Sequence, residues 1–408
     1  MKKYSSVLSE SKNTHMEHIE DMIFNEGSAG ARRAINSLRN LRDMLAGNSS
    51  QKVNATVKWD GAPAIFAGID PSDGKFFVAK KGIFNVNPQL FKTQADINKA
   101  LSGDLRDKFT IALREFRRLG IEQGVFQGDL LFTKGDVKAA TISDEKMLTF
   151  HPNTIVYAVP VASGLGQRIR KASIGVIWHT SYSGKTLQGM KASFGKGITR
   201  KMKKVPSVFM DDATYEDVTG NAKFTSEETK ECTALISQAG KMLRNISGDA
   251  LKVIASDDEL KQKIKTYNNT FVRAGEPFPN VRKHVSGLYN YIEEWYDGEI
   301  ETKKQDKTKE QWTNRKKAAL SKVFGNYNDL ANIFTFMNLV IQAKQMIIDK
   351  MNKASKMRSF LKTRDGFKVT NPEGFVAIDK VQGAVKLVDR LQFSYANFSP
   401  EILKGWQK

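Results

Sequence analysis

Val57-Lys58-Trp59-Asp60-Gly61 is the stretch on which the reading of this chain turns. Residues 53–57 alternate in hydropathy as a strand does, and Asp60-Gly61 is a turn signal. A lysine therefore stands at the end of a strand, beside a carboxylate and at the start of a tight turn. Outward from it, residues 64–69 resume the strand pattern, Pro71-Ser72-Asp73-Gly74 turns the chain, and 76–79 returns as a hairpin partner. Further strands are expected over 125–131, 154–161 and 174–178, with a helix over 110–118. Lys-x-Asp-Gly by itself is most simply a β-turn. Its neighbourhood reads as an α+β domain built on antiparallel sheet.

Before this domain, residues 1–50 read as helical. Thr14-x-x-Glu17 is a capping box opening a short helix through Phe24, which Gly27 and Gly30 break. A second helix gathers Ile35, Leu38, Leu41 and Leu45 on one face. His15 and His18 stand one turn apart among acids, but two imidazoles without a third ligand fit a solvated first turn better than a metal site. Beyond residue 204 the period becomes helical again, with helices expected over 226–246, 249–267, 280–295, 310–324 and 329–357, and strand texture returning at 367–370. The expected organisation is an N-terminal helical segment over 1–50, a domain over 51–204, an all-α basic insertion over 205–362 and completing strands over 363–408. The β-rich domain is thus split by about 150 residues of helix. The alternative is two unrelated domains, with Glu373 onward packing on the helices.

The 408 residues include 64 Lys and Arg against 44 Asp and Glu, a formal charge of +20. Such an excess points to a polyanionic partner, nucleic acid first and an anionic membrane surface second, although charge alone identifies no site. Cys232 is the only cysteine, so no intrachain disulfide or cysteine-built zinc site can form, which fits a reducing cytosol and a cytoplasmic location. No signal-peptide core follows Met1-Lys2-Lys3. The most apolar stretch, 333–348, is interrupted by Asn338, Gln342 and Lys344 and reads as a packed helix, not a membrane span.

Three later segments complete the picture around Lys58: Phe126-Gln127-Gly128-Asp129, Glu373-Gly374-Phe375-Val376 and Val385-Lys386-Leu387-Val388. Their order and content resemble the motifs of the covalent nucleotidyltransferases, the superfamily of ATP-dependent DNA ligases, RNA ligases and mRNA capping enzymes. The likeness is confined to residues 53–161 and 368–390, and the overall impression is of ligases of large tailed phages. It implies an antiparallel-sheet nucleotidyltransferase (ATP-grasp-like) ligase domain. It also makes Lys58 the nucleophile that takes AMP from ATP. An attacking amine must be neutral, a state that burial beside cations favours.

Other roles follow from the same resemblance. Lys386 would stabilise charge developing on the α-phosphate, and Glu373 would help hold Mg²⁺ near it. Asp129 would accept hydrogen bonds from ribose hydroxyls, one methylene shorter than the usual glutamate. In Ala79-Lys80-Lys81-Gly82, Lys80, with Lys81 second, would contact the ribose or a terminal phosphate. Thr56, Asp60 and Gly61 complete the nucleotide-binding set, Asp60 orienting the lysine and Gly61 letting backbone approach the nucleotide. The family's stacking aromatic is replaced by Val159-Pro160, so Tyr157 supplies the stacking or is core. Val388 occupies the place of a second lysine in the fifth motif, leaving Arg390 to share the charge. Elsewhere, Gly164-x-Gly166 lacks the third glycine of a dinucleotide fingerprint, and a lone His179 reads as structural.

The function implied is an ATP-dependent polynucleotide ligase joining 5′-phosphate and 3′-hydroxyl ends through lysyl-AMP. About twenty residues follow Lys386, too few for a five-stranded OB barrel, which tilts the expected substrate toward RNA over DNA. The basic helices are expected to hold the polynucleotide by its phosphates. Competing readings are nucleotidyl transfer to another acceptor and a non-enzymatic nucleic-acid-binding protein with a degenerate nucleotide pocket.

Overall fold

A computed structural model describes residues 18–48, 54–194, 197–215, 222–277, 280–379 and 383–406; the Thr14–Glu17 capping box and His15 lie outside them. Helix α1 (Met22–Leu45) leads to strands β1 (Asn54–Lys58), β2 (Ala64–Ile69) and β3 (Phe76–Ala79) and helices α2 (Gln94–Ala100) and α3 (Gly103–Phe116). Strands β4 (Val125–Thr133), β5 (Lys138–Ile142), β6 (Glu145–Phe150) and β7 (Ile155–Pro160) follow, then α4 (Gly164–Lys171), β8 (Ile174–Ser183), β9 (Lys191–Phe194) and β10 (Val208–Asp212). A run of helices comes next: α5 (Ser226–Arg244), α6 (Gly248–Ser256), α7 (Asp258–Ala274), α8 (Val281–Glu301), α9 (Asp306–Gly325) and α10 (Tyr327–Asn352). The chain closes with β11 (Arg358–Thr363), β12 (Gly366–Thr370), β13 (Gly374–Asp379), β14 (Gly383–Leu387) and α11 (Arg390–Phe398).

This is a mixed α+β molecule in which the sheets are antiparallel apart from one parallel pairing, β8 with β10. A six-stranded sheet runs β10-β8-β4-β2-β3 with β9 paired to β8, a five-stranded sheet runs β12-β11-β7-β6-β5, and a three-stranded sheet runs β1-β13-β14. No helix among the described residues is long and apolar enough to cross a membrane. The stretch around Ile333–Ile348 sits instead at the centre of a helical core with Leu38, Ile236 and Leu288.

Several local expectations change for identifiable reasons. Helix α1 bends at Gly27 (φ 57°) but runs through Gly30. The expected helix over 249–267 is two helices, because the Asp257 carboxylate accepts the Leu260 N–H at 2.9 Å and starts α7 afresh. The stretch 205–362 is not all-α: β10 joins the six-stranded sheet and β11 the five-stranded one. β10 pairs in parallel with β8, about thirty residues earlier, so no hairpin signal marks it, and β11 pairs with distant β7 on one edge and with β12 in a hairpin on the other. His18 is half-buried and bridged to Lys386 instead of lying in a solvated turn.

The three-stranded sheet sets up the site. Ala55 of β1, Phe375 and Ala377 of β13, and Val385 and Leu387 of β14 pack into the helical core. Strand alternation then turns Thr56, Lys58, Val376, Ile378 and Lys386 to the opposite face, where they line a cavity. In register, Thr56 faces Val376 and Val376 faces Lys386 across the strands. A one-residue slip would bury both lysines among the helices.

Candidate active site

The cavity is about 560 Å³, within the range of small-molecule sites, and lies between the three-stranded and six-stranded sheets. Lys58, Asp129, Glu373 and Lys386 all line it, and so do Thr56, Asp60, Gly61 and Lys81. Lys58 ends β1 opposite Gly374, which brings its Nζ into an ion pair with the Glu373 carboxylate. Asp129 enters from β4, opposite Ala64 of β2.

Asp60 anchors the turn. Its carboxylate accepts hydrogen bonds from Asn153 Nδ2 at 2.6 Å and from the N–H groups of Thr154 and Ile155 at 2.6 and 2.7 Å. The Asp60 N–H donates to Tyr157 Oη at 2.8 Å. The loop after Lys58 is thereby tied to the start of β7. Gly61 lines the cavity and is also required by packing: a Cβ there would lie 2.6 Å from Asp129 Cβ and 2.9 Å from the Leu130 carbonyl oxygen. The close packing of this turn on β4 is what brings Lys58 and Asp129 into one cavity.

Three expected contacts fall elsewhere. Tyr157 is 1% exposed and packs on Trp59, so its ring belongs to the core and is not presented for stacking. Lys80 is not among the lining residues, whereas Lys81 is. Ala79 packs with Phe66 on the cavity side of the sheet, and alternation carries Lys80 to the other side. Arg390 points away, held by Asp21 at 3.1 Å and by Asn269.

Other lining residues had no sequence signal. The β4–β8 ladder passes from Gln127↔Thr180 to Gly128↔Trp178, leaving His179 as the extra residue of a β-bulge. The bulge aims His179 into the cavity and reverses the alternation beyond it. Tyr182 is thereby turned to the cavity too, its hydroxyl donating to Gln127 Oε1 at 2.6 Å. Phe84, against Tyr182 with ring centroids 4.7 Å apart, and Phe194 complete an aromatic wall.

A model for a family of unknown function, DUF6267, matches residues 13–402. The chain belongs to this family. No curated protein and no solved structure matches it. What this DUF6267 member can do must therefore be argued from its cavity.

The charges of the cavity are unusual. Burial pushes the Asp129 carboxyl up to about 7; Lys58 opposes the shift and Asp60 adds to it. Burial likewise raises Glu373 to about 7 against the pull of Lys58. His179 moves the other way, lowered to about 4 by burial and then by Lys58, so it is neutral at pH 7 and its 3.9 Å approach to Asp129 is not an ion pair. A cavity that holds two carboxyls reluctant to ionise is arranged for added positive charge.

These shifts carry a stability consequence. Between about pH 4 and pH 7 the unfolded chain has released carboxyl protons that the folded chain still holds, so ionising Asp129 destabilises the fold as pH rises. The buried histidines act in the opposite sense, so the informative quantity is a difference. Asp129→Asn is expected to gain roughly 1–3 kcal/mol relative to the parent between pH 5 and pH 7.5. Urea unfolding at both pH values checks this; a constant difference would contradict the burial assigned to Asp129.

Several cations of the helical region are paired within the fold. Arg315, Lys316 and Lys322 of α9 pair with Glu259, Asp297 and Asp257 at 2.8, 2.8 and 2.6 Å, and Lys303 pairs with Glu299 at 2.7 Å. Their charge is answered within the fold before any partner arrives.

Proposed function

We propose that this chain is an ATP-dependent polynucleotide ligase that works through a lysyl-AMP intermediate. One observation carries the reading: Lys58, Asp129, Glu373 and Lys386, from segments far apart in sequence, line a single cavity with an aromatic wall. The arrangement supplies a nucleophile, a partner for its proton, a second cation for phosphate charge and a surface for a purine.

In the first step Lys58 Nζ, having given the proton of its ion pair with Glu373 to water, attacks the α-phosphorus of ATP; the bond from that phosphorus to the bridging oxygen breaks and pyrophosphate leaves. Lys386 stabilises negative charge gathering on the α-phosphate. A 5′-phosphate oxygen of a polynucleotide then displaces Lys58 from AMP, breaking the P–N bond. Finally a 3′-hydroxyl attacks the activated 5′-phosphorus, AMP leaves, and a phosphodiester remains.

Among the described residues no group of three or more His, Cys, Asp and Glu side chains could hold a metal ion. Asp129 and Glu373 instead offer two carboxylates, which suits a magnesium ion brought in on the triphosphate, since that ion keeps phosphate oxygens and waters as its other ligands. Bound there it would neutralise charge on the transferring phosphate. Because those carboxyls must lose protons to bind it, uptake of magnesium and ATP is expected to release protons below pH 7, and isothermal calorimetry in buffers of different ionisation enthalpy reads that release.

The deciding experiment is incubation with α-labelled ATP and magnesium. Covalent label on the protein is the expected result, and its absence ends the reading. A panel of nicked duplexes with RNA or DNA on either side of the break then identifies the acceptor; label without joining of any of them transfers the proposal to a different acceptor.

A further inference from the structure

A second cavity, of about 710 Å³, opens beside the edge strand β10. Arg168 and Lys171 of α4 stand on one side, Arg200 and Lys204 on the other, and Val208 and Phe209 of β10 form the floor. All four cationic side chains are exposed, and among the described residues none of them is paired with a carboxylate. Asp211 is the one acidic side chain on the rim, and it is engaged by Lys356 at 3.5 Å.

The scaffold under these charges is fixed. Arg168 donates to the Met210 carbonyl at 3.0 Å and lies over the Phe209 ring at 4.9 Å. The turn carrying Arg200 is held by the Asp212 carboxylate, which accepts the N–H groups of Gly197 and Thr199 at 3.0 and 2.8 Å. The cations are thus presented by an ordered surface, whereas Arg315, Lys316 and Lys322 of α9 are answered by acids of the helical region.

From this we infer that the α4–β10 cavity holds the sugar–phosphate backbone of a polynucleotide strand, as the place where the substrate of the ligase proposed above is gripped; the identity of the partner rests on that reading. Phe209 is 2% exposed and offers no ring for a base, so the contacts are to phosphates and carry no sequence preference. Position supports the assignment. Asp211 pairs with Ile177 of β8, and Ile177 pairs with Asp129 of β4. The rim of this cavity therefore lies about two strand spacings, roughly 10 Å, across the same sheet face from the nucleotide cavity. Ile177 and Phe209, between the two cavities, are buried under an apolar layer, so a strand held by the four cations reaches Lys58 around that layer and not across it.

Arg200→Glu/Lys204→Glu in the full-length chain tests this, with Arg200→Gln/Lys204→Gln as a milder companion. Fluorescence anisotropy with labelled single-stranded DNA and RNA 20-mers is expected to show binding weakened at least about tenfold by charge reversal. The slope of log affinity against log salt should fall by roughly 1–2, since each phosphate contact contributes about 0.7 for single strands. The neutral pair should lie between. Wild-type affinity and slope in both variants would overturn the inference, and so would binding of the parent to phosphatidylserine vesicles but to neither oligonucleotide. Labelling by ATP is measured in parallel and is expected to be unchanged in both variants. A parent that takes no label but loses strand binding on charge reversal would remove the ligase reading and leave this site standing.

Discussion

Lys58→Ala is expected to abolish covalent transfer of AMP to the protein, by more than about a thousandfold, while leaving the fold intact. The size of the effect follows from the proposed mechanism, in which Lys58 Nζ is the attacking nitrogen; label that persisted would have to sit on His179 or another lysine of the cavity. Lys386 stands two strands away, opposite Val376, and Lys81 enters from the far side on the loop after β3. Lys58 is the amine that stands in an ion pair with Glu373. Lys58→Arg should fail equally, because a guanidinium keeps its proton and cannot attack phosphorus. Acid-resistant or acid-labile label distinguishes a phosphoramidate from an ester, and only the acid-labile kind supports the assignment. Unfolding of the variant must match the parent, as a half-exposed side chain leaving one ion pair costs little. Equal label on Lys58→Ala and parent would place the nucleophile elsewhere and dissolve the proposed mechanism.

Lys344→Ala should cost roughly 3–5 kcal/mol of stability. Lys344 is 1% exposed at the centre of α10, and its Nζ donates to Glu20 Oε1 and to the Val388 carbonyl, each at 2.8 Å. Glu20 is fully buried. Burial alone would raise its carboxyl, but Lys344, with His18 and Arg390, outweighs that and holds it at about 2. Removing the ammonium leaves a carboxylate inside the protein with Arg390 as its remaining nearby cation, at 3.8 Å. The double change Glu20→Gln/Lys344→Met removes both charges and should recover most of the loss. The pair's contribution is complete above the ordinary carboxylate range and fades as pH falls toward 2. Urea midpoints of the parent, the single and the double variants at pH 7 check the argument. A single variant within 1 kcal/mol of the parent would mean that water or relaxation reaches Glu20 and that the pair is not structural.

Much of the site was legible because its decisive residues sit at strand ends next to turns, where short-range chemistry writes itself into the sequence. Lys58 before Asp60-Gly61, Asp129 after Gly128, and Glu373 before Gly374 are all of that kind. Lys81 was ranked behind Lys80 because the parity of β3 is set by what Ala79 packs against, which no local pattern reveals. His179 reads as structural and Tyr182 carries no signal in the sequence, because a single bulged residue reverses alternation in β8. For Tyr157 stacking and core both stay open in the sequence, because position along the chain does not tell which side of a sheet is core. The helical region was read correctly in kind, since its apolar period is strong over long segments. Its ends were not: β10 pairs with the non-adjacent strand β8, and β11, though it forms a hairpin with β12, is tied into its sheet by distant β7.

Strand β1 acquires its partner late. Thr56 and Val376, 320 residues apart, face one another in the three-stranded sheet. A ribosome elongating at ~5–20 residues per second takes roughly 15–60 s to travel between them. Throughout that interval the nascent chain displays Lys58 on an unmated edge with no enclosed chamber around it. The cavity is therefore enclosed only once translation reaches β13, and under the proposed mechanism an unfinished copy has no chamber in which to take up a nucleotide.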